Sequence, residues 1–137
     1  MSSYYVVLLL GSNIGNTQEN LENAIAKIRN RIGKVDKFSK MLETSPVEFV
    51  SNKKFRNIAV SLETTLSPIF LLKEIKNIEK KMGRLEDSSV KGRYEDRIID
   101  IDIVKFGEIH FQSSILEIPH IKHLYERDFS KVLLQEL

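Results

Sequence analysis

The sequence predicts an α+β sandwich, and three observations carry that prediction. Residues 4–10 form a continuous apolar run of strand length, whereas residues 55–64 and 99–104 alternate apolar and polar side chains. Two intervening segments repeat apolar residues every three or four positions, as amphipathic helices do. With a weaker strand at residues 35–43, the order is β-α-β-β-α-β. This order is the ferredoxin-like arrangement, a mainly antiparallel sheet with two helices on one face.

Each predicted helix has recognisable signals at its ends. The first begins after Asn16, which has capping-box spacing to the acidic residue three positions later, and Gly33 is its expected stop signal. The second opens with Ser67 as cap and Pro68 at the first position, and it ends at Gly83. Beyond the last long strand we expect a turn, a short return strand at residues 109–111 and an apolar helical tail at residues 132–137.

Length and composition limit the possible classes of protein. The 137 residues are enough for one domain with an apolar core, so a single domain over residues 1–137 is predicted. A net charge of +2 is too small to indicate nucleic-acid binding by itself. The apolar run at residues 4–10 is too short for a membrane span and lacks preceding basic residues. The absence of cysteine excludes disulfides and thiolate metal sites, and we expect a cytoplasmic protein.

Residues 93–106, RYEDRIIDIDIVKF, carry the strongest chemical signal. Asp100 and Asp102 fall on one face of the predicted strand, roughly 6.6 Å apart along it. Their oxygens are hard ligands suited to Mg²⁺, and a cation between them would offset their repulsion. Arg93 and Arg97 are placed for bidentate phosphate contacts. An Asp-x-Asp strand alone is more often a solvated sheet face, and the flanking arginines bring the two interpretations near even.

Single polar and aromatic residues give weaker signals. Asn57 and Phe55 share the non-core face of a strand, which suits a flat heterocycle, although a solvated sheet face is at least as frequent. Glu79 is expected to be solvated, as most helix glutamates are. Arg127 and Phe129 form a further pair of a cation and an aromatic ring, which is weak evidence alone.

The three histidines differ in context. His120 follows a proline in a loop, where it is able to donate to a phosphate, although a lone loop histidine is usually incidental. His110 and His123 receive that default interpretation. The chain has no P-loop and no kinase glycine-rich motif, so a nucleotide must be held differently.

Several short segments recur together in one known family. They are LGSNIGN (10–16), ETSPV (43–47), FRNIAVSLET (55–64), IEKKMGR (78–84), DRIIDIDIVKFG (96–107), IPH (118–120) and RDF (127–129). In this pattern the chain resembles the 6-hydroxymethyl-7,8-dihydropterin pyrophosphokinases of folate biosynthesis. The R-x-x-D-x-D core with LGSN is quite specific, whereas each shorter piece is weak alone.

The resemblance implies direct transfer of a pyrophosphoryl group from ATP to the hydroxymethyl oxygen of the pterin, with release of AMP. It implies that Asp100 and Asp102 hold two Mg²⁺ ions, and that Arg84 and Arg97 grip phosphates and steady the transition state. The implied nucleotide contacts are Glu79, Arg93, Ile103, His120 and Arg127, and the implied pterin pocket comprises Thr44, Pro46, Phe55, Asn57, Tyr94 and Phe129.

Among the departures from the family pattern, two concern the proposed phosphate side of the site. Glu95-Asp96 replaces a small residue and proline, and the spacing from His120 to Arg127 is one residue longer than usual. The arginine-bearing segment 84–97 is predicted to be open without nucleotide and to close over ATP and Mg²⁺.

The alternative is a non-catalytic ferredoxin-like module that binds a small ligand or RNA. An RNA-recognition domain would carry an aromatic K/R-G-F/Y-G/A-F-V-x-F/Y strand, which FRNIAVSLET does not match. A sensor has no need for paired aspartates flanked by arginines. The expected partners are therefore ATP and the pterin, without nucleic acid or membrane, bound to a monomer or weak homodimer.

Overall fold

A computed structural model describes residues 2–44, 54–83 and 97–137. The main sheet has the strand order β2-β4-β1-β5, every pair is antiparallel, and β3 also pairs with β4. This topology confirms the predicted ferredoxin-like α+β fold. The elements are β1 (Tyr4–Ser12), α1 (Thr17–Arg31), β2 (Gly33–Phe38), β3 (Leu42–Thr44), β4 (Phe55–Thr64), α2 (Pro68–Lys81), β5 (Asp100–Phe106), β6 (Phe111–Gln112), β7 (Glu117–Ile118), a π-helical turn (Lys122–Glu126) and α3 (Asp128–Leu134).

Strand β1 is the centre of the sheet, between β4 and β5. Its side chains at Val6, Leu8 and Leu10 belong to the core under α1 and α2, whereas Val7 and Leu9 belong to a second apolar cluster on the opposite face. Both faces are covered, so a continuous apolar sequence is what this position requires.

The two long helices pack on one face of the sheet, as predicted. Asn16 caps α1 by accepting a hydrogen bond from the Glu19 N–H at 3.1 Å, and Ser67 caps α2 by accepting one from the Phe70 N–H at 3.3 Å. Gly83 follows α2 with φ +108°, the left-handed conformation that ends many helices. The inward-facing residues are Leu21, Ala24, Ile25 and Ile28 from α1 and Leu71, Ile75 and Ile78 from α2.

Gly33 does not act as the stop signal of α1. The helix ends at Arg31, Ile32 caps it, and Gly33 is the first residue of β2. A Cβ on Gly33 would overlap the main-chain oxygen of Glu63, which lies on the neighbouring strand β4. The glycine is required here because the two backbones approach closely.

One predicted strand needs correction. The weak strand at residues 35–43 is two strands, and Ser39 bridges the break, because its Oγ accepts from the Ala59 N–H at 2.9 Å. The expected short return strand is present at Phe111–Gln112, and Phe111 pairs with Ile118 in a separate two-stranded ribbon.

The C-terminal helix α3 lies on the sheet face opposite α1 and α2. Its Leu133 is fully buried with Val7, Leu9, Ala59 and Val104 in the second apolar cluster. The predicted helical tail therefore exists, but it begins at Asp128 rather than at residue 132. Across the three described ranges, no helix combines the length and apolar content that crossing a bilayer would require.

Candidate active site

One row of residues crosses the sheet on the face that carries α3. Gly11 on β1 pairs with Asn57 on β4 and with Asp100 on β5, and directly paired residues share a face. Neighbouring strands lie about 4.8 Å apart, so Asn57 and Asp100 are roughly 10 Å from each other across Gly11. A Cβ on Gly11 would lie 2.9 Å from Asn57 Oδ1 and 3.5 Å from Phe55 Cδ1. Because Gly11 has no side chain, only backbone separates the Asn57 amide from the Asp100 carboxylate along this row.

The amide end of the row brings together three residues predicted for the pterin pocket. Asn57 is only 5% exposed, and its Nδ2 donates to Thr44 Oγ1 at 2.9 Å. Phe55 pairs with Thr44 across β3 and β4, and its ring lies beneath the Arg97 guanidinium, with 5.9 Å between Cζ and the ring centroid. Two hydrogen-bonding groups and one aromatic face therefore surround this corner.

The carboxylate end follows the predicted alternation of β5. Asp100 and Asp102 keep 25% and 29% of their side chains exposed, while Ile101 between them is buried in the core under the helices. Arg97 Nη1 lies 3.4 Å from Asp100 Oδ1, so this predicted phosphate ligand is next to a predicted metal ligand.

Asn13 of the LGSN segment holds the chain just before β5. Its Oδ1 accepts from the Arg97 N–H at 2.7 Å, and its own N–H donates to the Arg97 carbonyl at 3.1 Å. Asn13 is 3% exposed. This two-way contact fixes where Arg97 enters the site and gives a physical reason for an asparagine after β1.

Asp102 contacts a buried histidine. His123 Nε2 lies 2.8 Å from Asp102 Oδ2, and His123 Nδ1 lies 2.7 Å from Ser130 Oγ. The His120 ring lies against that of His123, with 4.2 Å between centroids. Nitrogen and oxygen atoms of Asp102, His120 and His123 lie within 4.8 Å of one another.

These neighbours determine the ionisation of the site. Burial raises the pKa of Asp102, but the hydrogen bond from His123 and the attraction of His123, His120 and Arg127 outweigh it, so the pKa lies well below its usual range. Burial lowers the pKa of His120, and the opposing attraction of Asp102 does not restore it. At neutral pH the site therefore presents an ionised Asp102 beside an uncharged His120.

A family model described as 7,8-dihydro-6-hydroxymethylpterin-pyrophosphokinase (HPPK) matches residues 7–137. The chain belongs to the HPPK family. It is 36% identical over 133 residues to the 2-amino-4-hydroxy-6-hydroxymethyldihydropteridine pyrophosphokinase of Porphyromonas gingivalis, an alignment that covers 96% of this chain and 89% of the relative.

Other relatives are longer. The mitochondrial folate synthesis bifunctional protein of Pisum sativum is 36% identical over 132 residues, which cover 96% of this chain but 25% of that protein. The chain thus spans about a quarter of the length of this plant relative. The crystal structure of wild-type Plasmodium falciparum HPPK-DHPS with pteroate aligns with a TM-score of 0.77 at 18% identity, covering 98% of this chain and 41% of that one. This structural likeness supports the fold.

The unusual spacing between His120 and Arg127 has a structural counterpart. Residues between them form the π-helical turn, in which the Arg127 N–H donates to the Lys122 carbonyl five residues earlier at 2.9 Å. A π-turn accommodates one more residue than an α-helical turn. The extra residue relative to the HPPK pattern is therefore absorbed locally, and His123 within the turn points at Asp102.

Glu79 differs from its expected solvated state. It is 3% exposed, and its Oε2 accepts from the Ile101 N–H of β5 at 2.9 Å. Lys76 Nζ lies 3.6 Å from its other oxygen. Glu79 thus ties α2 to the strand that carries the aspartates, and its predicted nucleotide contact stays a prediction.

Two further predicted contacts are at the margin of the site. The Ile103 side chain is buried under the helices, on the opposite face of β5 from the carboxylates. A nucleotide on the carboxylate face would meet main-chain atoms of Ile103 rather than its side chain. Phe129 packs against the second apolar cluster, with its ring edge-on to His123 at 6.3 Å.

The remaining predicted residues lie outside the part of the chain that the structure describes. They are Pro46, Arg84, Arg93 and Tyr94, together with the rest of the segment predicted to close over ATP, apart from Arg97. Their assignments stay predictions.

The contacts of His123, Ser130 and Gly11 were not anticipated from the sequence. The spacing His120-x-x-His123 was a usable signal, because residues three apart on a helical turn face the same side. Ser130 had no such signal, since its role depends on α3 crossing the sheet beside Asp102. The role of Gly11 depends on its pairing with both Asn57 and Asp100, which no local sequence pattern shows.

Proposed function

We propose that this chain transfers a pyrophosphoryl group from ATP to the hydroxymethyl oxygen of 6-hydroxymethyl-7,8-dihydropterin, giving AMP and the pterin diphosphate. Membership of the HPPK family and the match along most of the P. gingivalis pyrophosphokinase support this activity. The observation that carries it is the row in which Asn57 and Asp100 flank Gly11. A flat heterocycle bound at the amide end would extend across the glycine toward the carboxylates.

The donor set at the other end of the row fits Mg²⁺. Asp100 and Asp102 offer hard oxygen ligands on one face, partly open to solvent, as an ion that keeps several waters requires. Asp102 is ionised at neutral pH because its pKa is held low, so no proton has to leave before an ion binds. Two Mg²⁺ ions are proposed, and when bound they would neutralise and orient the phosphates.

The chain's own residues divide between the two substrates. Asn57, Thr44 and Phe55 would bind and orient the pterin ring, with Pro46, Tyr94 and Phe129 proposed as further lining. On the phosphate side, Arg97 approaches Asp100, and His120 and Arg127 are close enough to Asp102 to influence its pKa. Arg84 and Arg93 are proposed to add two further cationic contacts to the polyphosphate.

The proposed reaction forms one bond and breaks one. The hydroxymethyl oxygen attacks the β-phosphorus of ATP and releases its proton to solvent, and the bond from that phosphorus to the α,β-bridging oxygen breaks, so that AMP leaves. Little covalent chemistry is required of the protein in such transfers, because positioning and neutralisation of charge supply most of the rate. Both requirements suit a site made of a rigid sheet face with paired carboxylates.

A non-catalytic binding module is the second candidate, and the comparisons give it no support. The proposal includes ATP and the pterin as partners, without nucleic acid or membrane, and a monomer or weak homodimer as the assembly. It thereby assigns the chain to folate synthesis, in agreement with the name of its Pisum sativum relative.

The test is product analysis with purified protein, ATP, Mg²⁺ and the reduced hydroxymethylpterin. AMP and pterin diphosphate should appear in equal amounts, and neither should form when the pterin is omitted or Mg²⁺ is chelated. Release of ADP, or binding of both ligands without any AMP, would contradict the pyrophosphokinase assignment.

A further inference from the structure

The contact between Asp102 and His123 is part of a chain of three side chains. Asp102 on β5 meets His123 in the π-helical turn, and His123 meets Ser130 in α3, at 2.8 Å and 2.7 Å. His123 and Ser130 are 2% and 0% exposed, whereas Asp102 reaches the open side of the site. A buried polar pair therefore ends on a residue that a ligand would touch.

The direction of the Asp102–His123 hydrogen bond follows from its acceptor. The Asp102 carboxylate is ionised and only accepts, so His123 Nε2 carries a proton and donates it to Oδ2. The other ring nitrogen, Nδ1, is hydrogen-bonded to Ser130 Oγ. The ring is therefore held at both nitrogens and cannot turn without breaking both hydrogen bonds.

We propose that His123, oriented by Ser130, is a positioning residue that presents Asp102 to the metal. This role rests on the proposed function. The contact takes one lone pair of Oδ2, so Oδ1 and the second lone pair of Oδ2 stay available for coordination. A carboxylate held in this way does not have to be ordered when the ion binds.

Other protein metal sites indicate how much metal affinity should be lost when His123 is replaced. Ligating carboxylates are themselves hydrogen-bonded, and removal of such a partner typically costs about 10- to 100-fold in metal affinity or activity. The longer spacing between His120 and Arg127 is also connected with this contact. The π-helical turn that absorbs the extra residue is the element that carries His123 to Asp102.

The experiment compares three variants with a matched control. His123→Leu removes the donor, and His123→Gln places an amide N–H near the position of Nε2. Ser130→Ala removes only the group that orients the ring. His110→Leu is the control, because His110 is an exposed histidine outside this chain of contacts.

Two readouts separate positioning from stability. The first is the Mg²⁺ concentration that gives half-maximal binding of a non-hydrolysable ATP analogue, measured by calorimetry, and the second is the melting temperature. His123→Leu should raise the Mg²⁺ concentration about 10- to 100-fold. Ser130→Ala should raise it less, His123→Gln should restore most of the wild-type value, and pterin affinity should not change. His110→Leu should match the wild type in both readouts.

Two outcomes would overturn the proposal. A fall in melting temperature with no change in Mg²⁺ requirement would make His123 a core residue only. Loss of Zn²⁺ binding in His123→Gln, with Mg²⁺ binding intact, would make the imidazole a direct ligand, because imidazole suits Zn²⁺ better than Mg²⁺.

The proposed function and the positioning role can fail separately. Binding of Mn²⁺ alone, followed by electron paramagnetic resonance, requires no turnover. If the wild type releases no AMP but the variants still differ in Mn²⁺ affinity as expected, the proposed function fails and the positioning role stands. Normal AMP release by the wild type, together with an equal Mn²⁺ affinity of the wild type and the His123 variants, would contradict the positioning role alone.

Discussion

The two faces of the sheet are built from the same strands but have different tasks. Under α1 and α2, β1 and β5 contribute mostly apolar side chains, among them Leu8, Ile101 and Ile103, each at most 4% exposed. On the opposite face, the same strands contribute Gly11, Asp100 and Asp102, and α3 covers only part of the surface. Alternating residues of one strand therefore belong to the core and to the candidate site.

This difference teaches how a small domain keeps charged groups close together. Two carboxylates close together on a strand repel and do little to stabilise the fold, so the stability has to come from the apolar residues that pack around them and on the other face. The division also makes a clear expectation for mutants. Substitutions on the helix side should change stability, and substitutions of the exposed polar residues on the α3 side should change ligand binding or turnover.

The largest expected effect is on the site side, at Asp102→Asn. The amide oxygen still accepts the His123 hydrogen bond, but the negative charge is lost. Turnover should fall roughly 10³-fold, equivalent to about 4 kcal/mol of transition-state stabilisation. The measurement is AMP release at saturating substrate, and thermal unfolding should show little change.

Asp36→Asn is the matched control for this variant, because Asp36 is an exposed aspartate on β2. Near-normal turnover of Asp102→Asn in Mg²⁺ would show that the metal assignment is wrong.

The next effect is on the core side, at Ile103→Ala. Removing a buried isoleucine side chain should lower the free energy of unfolding by about 3 kcal/mol, since the cavity cannot fully close. Lys105→Ala, exposed on the same strand, should be nearly neutral. Denaturant unfolding measures the difference.

ATP affinity of the folded Ile103→Ala protein decides whether this residue also contacts nucleotide. We expect that affinity to be unchanged, because the side chain faces the helices. A weaker ATP affinity with unchanged stability would instead support the side-chain contact implied by the family resemblance.

The third effect concerns the contact that joins the helix layer to the site strand. Glu79→Ala leaves the Ile101 N–H without its partner on the edge of β5, and should lower stability by about 2 kcal/mol. Glu79→Gln keeps an oxygen that accepts this hydrogen bond, so most of the stability should return. Thermal unfolding of both variants is the measurement. Equal losses would show that the negative charge, rather than the hydrogen bond, is what matters.

The parts of the fold that follow from local periodicity were predictable. Alternation in β4 and β5 identified which residues face the core, and the caps Asn16 and Ser67 marked the two helix starts. Gly33 was misinterpreted because its reason is the nearby backbone of Glu63, which is 30 residues away in sequence and therefore invisible to local patterns.

The candidate site was predictable only where a motif carries it. Asp100, Asp102 and Asn57 were selected by position on a strand and by resemblance, and the structure brings them to one face. Glu79 was expected to be solvated, because nothing in a helix sequence shows that a strand edge will lie against it. His123 was treated as incidental, because its partners come from β5 and α3, and only the three-dimensional arrangement brings those elements together.

The smallest expected effect is at Gly11, which lies between the Asn57 amide and the Asp100 carboxylate on the site face. In Gly11→Ala the new Cβ would lie 2.9 Å from Asn57 Oδ1, so the amide has to move. Pterin affinity should fall about tenfold, or roughly 1.4 kcal/mol, while the affinity for ATP with Mg²⁺ should stay within twofold or so.

A double-mutant cycle with Asn57→Ala tests that mechanism, because contacting residues are not additive. Asn57→Ala should weaken pterin binding by removing a buried hydrogen-bonding partner and leave ATP affinity nearly unchanged. With the amide already absent, Gly11→Ala should cost little more pterin affinity, since its effect passes through Asn57. Fully additive losses would show that the Cβ meets the ligand itself and would contradict an effect transmitted by the amide. If either variant lowered the affinities for pterin and ATP equally, the row would have a structural role and would not be part of the pterin site.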